Sequence, residues 1–141
     1  MIESIAPGGA YPLQEATSNR MESVRAVNIQ VEHETHLHAD QDSLPDYIAS
    51  IEITGRPAND GFSARGALIC FYPDGHPGIS RPSYDEVRRV IKICYPISMF
   101  ESQVEILTRH YDIECTYLES SALPHREAFL QGSRLIPEQM H

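Results

Sequence analysis

Ser83-Tyr84-Asp85-Glu86-Val87-Arg88-Arg89-Val90-Ile91-Lys92-Ile93-Cys94-Tyr95-Pro96 is the stretch on which the fold class turns. Ser83 followed three residues later by Glu86 makes a capping box, since the hydroxyl accepts from the Glu86 amide while the carboxylate reaches back to the Ser83 amide. Val87, Val90, Ile91 and Cys94 then fall at helical spacing, which predicts a helix that Pro96 ends or kinks at Tyr95. Pro96 itself suits a first helical turn, so a sharp bend near Tyr95 is expected to separate two helical segments and to turn Met99 and Phe100 toward the sheet or a partner subunit. Beyond it, Phe100, Val104 and Leu107 lie on one helical stripe that extends through Tyr111, Cys115 and Leu118, and Ser98 with Glu101 offers a second capping box. Tyr111, Ile113, Cys115 and Tyr117 also alternate with polar neighbours as a strand would; helix is expected to about His110, and residues 111–118 stay open between the two. A short helix over residues 126–131, ended by Gly132 at C′, completes the chain.

Moving outward toward the N-terminus, the period changes to two. Val27, Ile29, Val31, Thr35 and Leu37 alternate with polar residues as a strand with one wet face, and Tyr47, Ala49, Ile51 and Ile53 repeat the pattern. Residues 55–61 read as a hairpin connection into a third strand over residues 62–72, whose second half is apolar on both faces and therefore central or covered by a partner. Residues 73–82 hold three prolines and two glycines and must be a loop. Residues 1–23 show no sustained period and read as a loose N-terminal arm. The expectation is an α+β domain over residues 24–141, in which an antiparallel sheet of three to four strands is followed by one or two amphipathic helices.

Composition narrows the function classes. A chain of 141 residues is long enough to bury a core without staples. With 41% hydrophobic and 22% charged residues and no apolar run of spanning length, it is expected to be globular, without a membrane partner. No basic start followed by an apolar stretch opens the sequence, so a cytoplasmic location is expected. The net charge of -9 repels phosphate backbones and argues against nucleic acid, while suiting a cationic protein partner. Cys70, Cys94 and Cys115 are widely spaced on apolar stretches and read as buried reduced thiols.

Glu34, His36 and His38 align on the wet face of the first strand, where residues two apart can share a divalent metal. The same pattern is what any solvated strand face needs, and no separate third or fourth ligand is identifiable. No nucleophile elbow and no phosphate-cradling glycine loop occurs, so no catalytic residue and no cofactor is implied and an enzyme is not the favoured class. Apolar surface is the remaining signal: Ile69 and Phe71 on one face of the third strand, with Ile97, Met99 and Phe100 past the proline, have the core as their first explanation and a protein-binding face, for an oligomer contact or a client, as the second.

Cys94-Tyr95-Pro96-Ile97-Ser98-Met99-Phe100, with Glu105 and Ile106 one turn on, resembles the cysteine-, proline- and phenylalanine-containing lead-in to the long helix of the SecB family of export chaperones. Ala128 and Phe129 are similar to part of that family's terminal helix. The resemblance implies a four-stranded antiparallel sheet packed with helices, assembled as a dimer or tetramer, that holds polypeptide clients in apolar grooves without nucleotide. Three functional expectations result: a SecB-like chaperone or adaptor, an acidic inhibitor or adaptor for one basic partner, and a small metal-dependent enzyme or sensor built on Glu34, His36 and His38.

Overall fold

Alternation with a period of two governs most of the chain, including residues that a helical spacing also fits. A computed structural model describes residues 19–33, 47–121 and 125–137. Its elements are β1 (Asn19–His33), β2 (Ala49–Pro57), β3 (Gly66–Tyr72), β4 (Ser83–Asp85), β5 (Val90–Pro96), a 3-10 turn (Ile97–Met99), α1 (Phe100–Arg109), β6 (His110–Ser120) and β7 (His125–Leu135). They form one seven-stranded sheet in the order β4-β5-β3-β2-β1-β6-β7. Every pairing is antiparallel except β3 with β5. The expected three- to four-stranded sheet followed by helices is therefore corrected, among the described residues, to a mixed seven-stranded sheet with a single short α-helix.

The largest correction falls on residues 83–95, which form strand, turn and strand in place of a helix. Asp85 decides it, because its Oδ1 accepts from the amides of Val87 and Arg88, both at 3.0 Å, and its carbonyl accepts from the Arg89 amide at 2.7 Å. Such side-chain bonds offer the backbone an alternative to the helix. Arg89 then takes a positive φ of 64°, which a helix does not allow. From Val90 onward Ile91 and Ile93 point into the core while Lys92 faces outward. Val87, which the helical stripe required on the apolar face, is 91% exposed.

Two further corrections follow the same rule. Residues 126–131 belong to β7, and Gly132 stands opposite Ile113 beneath the His110 ring, where an added Cβ would lie 2.2 Å from His110 Cγ. Residues 111–118, left open above, are strand, with Ile113, Cys115 and Tyr117 inward. The bend at Pro96 separates a strand from a helix rather than two helices. Helix α1 does form near its expected place, capped at Met99 without a side-chain bond, while the Ser98 amide donates to Asp74 Oδ1 at 3.2 Å.

Strand β1 begins at Asn19, so residues 19–23 of the expected arm lie within the sheet. A bulge between Ala26 and Asn28 turns Val27 outward, 68% exposed. Gly55 is needed opposite it, since a Cβ there would sit 1.9 Å from the Arg25 carbonyl oxygen.

One face of the sheet carries the core: Val24, Ile51, Ile53, Ile69, Phe71, Ile91, Ile93, Ile113, Cys115, Tyr117 and Leu130 are all buried. The sheet curls over these residues, bringing β5 against β6 and β7. Helix α1 covers one end of the curl, with the Phe100 ring 5.1 Å from Phe71 and 5.0 Å from His33. On the outer face Cys70 and Cys94, opposite each other in register, are buried with Tyr72 against Tyr47, Leu68 and Ile79. All three cysteines are buried and free.

Candidate functional site

The end of the curl away from α1 gathers polar side chains from strands distant in sequence. Residues 19–25 of β1 lie beside the last half of β6, and β4 reaches across to them, with the Tyr84 ring 6.2 Å from Tyr117. The Arg20 guanidinium stands 4.9 Å from the Tyr84 ring centroid, lies 3.6 Å from Glu22 and pairs closely with Glu86 in the turn after β4. Partial burial works against its charge, but Glu86 and Glu22 outweigh that and raise its pKa above the ordinary arginine value.

Glu22 is the anchor of this end. Its buried carboxylate accepts from the Ser63 amide at 2.7 Å, the Ala64 amide at 2.9 Å and the Ser63 hydroxyl at 3.0 Å. The Ser63 hydroxyl in turn lies 2.8 Å from the Tyr84 hydroxyl. The loop between β2 and β3 is thus tied to β1 and β4 by one acid. Tyr117 donates to Glu119 at 2.7 Å, and burial, reinforced by Glu119, pushes its phenol up to about 12.

Beside this network lies an open cleft of about 710 Å³. One wall is the approach to β4, carrying Arg81 and Ser83; the other is the end of β6 and the start of β7, carrying Ser120, His125 and Arg126. Arg81 and Arg126 are exposed, and neither has an ion pair among the described residues. Arg126 faces Glu119 across the β6–β7 ladder, yet that carboxylate is engaged by Tyr117. His125 lies 3.4 Å from Glu127. The cleft can bind an anion through fork-shaped donors and hydroxyls.

A second surface is the outer edge of β7. The strand is 11 residues long and pairs only with β6 among the described residues. Leu135, Ile136 and Tyr111 are exposed at its far end.

The residues singled out from the sequence fall elsewhere. Ile69 and Phe71 are fully buried beneath the sheet and present no surface in this chain. Ile97, Met99 and Phe100 are partly buried, packed against the same core. Glu34, His36 and His38 lie outside the described residues, and among the described residues no group of three or more His, Cys, Asp or Glu could hold a metal. Among the described residues no helix is long and apolar enough to cross a membrane. Sequence reasoning missed Arg20, Glu22, Arg81 and Arg126 because nothing local marks them. A strand reading of residues 110–120 and 125–135 would have placed Glu119 and Arg126 opposite each other, and that is the one signal available. No family model, no curated protein and no solved structure matches the chain.

Proposed function

We propose that the chain is a non-enzymatic binding module that takes an extended polypeptide by adding it as a strand along β7. The supporting observation is the 11-residue edge, whose outward amides and carbonyls have no strand partner among the described residues. Such an edge is a template for another chain unless it is short, charged or bulged. The opposite edge, β4, is only three residues long and a poor template. On β7 the protective features are confined to its ends: Arg126 and Glu127 at the start, and Arg134, with a φ of 57°, near the finish. Exposed Leu135, Ile136 and Tyr111 supply apolar contact beside it. Of the SecB-like expectation this reading keeps the holding of polypeptide without nucleotide. A second copy of the chain is one polypeptide that could pair in this way.

Proline scanning tests it, because successive strand residues direct their amides to opposite sides. Of Glu127→Pro and Ala128→Pro, one removes a ladder bond to β6 and lowers the melting temperature, while the other blanks the free edge and leaves the fold intact. The stable variant is expected to lose suppression of aggregation of a reduced, unfolded test protein, and any self-association seen by light scattering. Full activity in that variant would exclude strand addition. The net charge of -9 supports a second reading, an adaptor laid on a basic partner. Binding that collapses with added salt would mark it, since ladder hydrogen bonds respond weakly to ionic strength.

A further inference from the structure

We infer that the cleft between β4 and the β6–β7 end is a binding site for a small phosphomonoester, a property independent of strand addition along β7. Arg81 and Arg126 lie at opposite edges of the sheet and line one cleft only because it curls, so their sharing of it belongs to the tertiary structure. Cations sharing a cleft repel unless something anionic joins them, and Glu119, the one carboxylate in its lining, has one oxygen held by the Tyr117 hydroxyl at 2.7 Å and forms no ion pair with either arginine among the described residues. The chain carries twenty acids against eleven bases, and Glu119 is the only carboxylate among the lining residues.

The donor set selects the ligand class. Two guanidinium forks and the hydroxyls of Ser83 and Ser120 provide more donors than the two oxygens of a carboxylate accept. The three terminal oxygens of a phosphoryl group match them, and planar guanidinium groups bind such oxygens in bidentate fashion. The volume of about 710 Å³ lies in the range of roughly 300 to 1,000 Å³ typical of small-molecule sites and leaves room beyond the phosphoryl group for an organic remainder. Serine-rich walls suit a hydroxylated remainder, as in a sugar phosphate. A polynucleotide is disfavoured by the net charge of -9.

Calorimetric titration of the full chain with glucose 6-phosphate, inorganic phosphate and glucose tests the assignment. Saturable binding of glucose 6-phosphate is expected, with inorganic phosphate weaker and glucose silent; equal binding of the two phosphates would place all recognition in the phosphoryl group and overturn the organic subsite. Arg81→Ala and Arg126→Ala should each weaken binding by about tenfold or more, as loss of a charged hydrogen-bond donor does. Lysine at either position should restore it only in part. Arg56→Ala, at an exposed position of β2 that does not line the cleft, should leave it unchanged. Both cleft arginines are exposed, so their variants should keep the wild-type melting temperature, which separates lost binding from lost fold. Affinity unchanged in the Arg81→Ala, Arg126→Ala double variant, or no saturable binding of either phosphate at millimolar concentration, would overturn the proposal.

Discussion

Glu22 is 5% exposed and receives three donors from residues 63 and 64, a charge-assisted cluster of the stronger kind. Replacing it with glutamine keeps the size but turns an acceptor oxygen into a donor facing other donors. Hydrogen bonds to charged groups contribute about 1.5 to 3 kcal/mol, so Glu22→Gln should destabilise the fold by about 2 kcal/mol in urea unfolding at neutral pH. A change near zero would mean that the loop between β2 and β3 is held by its backbone alone. None of this was legible in Met21-Glu22-Ser23-Val24, where the acid falls in the stretch that reads as a loose arm. Its role depends on Ser63 and Ala64, which are 41 and 42 residues away.

Residues 83–96 show why periodicity misled at the scale of the element. Val87, Val90, Ile91 and Cys94 satisfy a helical stripe, and Ile91 with Ile93 satisfies a strand. The contest was settled by an Asp85 side chain that bonds the next turn and by a β3 edge able to receive β5 in parallel register. The β-branched residues of β5 then pack well on a pleated surface. Helix α1 was legible because its stripe, Phe100, Val104 and Leu107, is matched by no competing alternation. The docking of α1 depends on Phe100, whose ring meets Phe71 edge-on at 5.1 Å. Phe100→Ala should cost about 3 kcal/mol, the lower end for a buried phenylalanine since Phe100 is only partly buried, read as a fall in the urea midpoint. Loss of under about 0.5 kcal/mol would place this ring outside the core, in the range of ordinary surface substitutions.

For the molecule as a whole, burial of weak acids predicts alkaline sensitivity. Burial pushes Cys115 up to about 12 from an ordinary thiol value of 9.0. Burial, and then the neighbouring Cys94 thiol, push Cys70 up to about 11. Burial raises Tyr72 and Tyr117 to about 12. The folded state therefore keeps protons that the unfolded chain releases above its ordinary thiol and phenol values. Stability from these groups is fully present below about pH 9 and falls as pH rises toward 12, by roughly 1.4 kcal/mol per pH unit for each group in its window. Urea midpoints measured from pH 7 upward should be level and then drop steeply above about 9. A flat profile through that range would contradict the buried placement of the thiols and phenols.

By itself the sequence determined where apolar residues recur, which loop residues 73–82 must form, that the cysteines are buried, and that the balance of charge is acidic. Those properties are local: a proline, a pattern of alternation or a count of carboxylates acts without distant partners. Only the tertiary structure decided that residues 83–96 form strand, turn and strand, that residues 126–131 are strand, that Ile69 and Phe71 lie inside, and that Arg81 and Arg126 share a cleft. A short window contains the β4–β5 and β6–β7 pairs, but the parallel seating of β5 on β3, the burial of Ile69 and Phe71 and the cleft between β4 and β7 need strands from distant parts of the chain, so those hydrogen bonds and that desolvation exist only once the sheet is assembled.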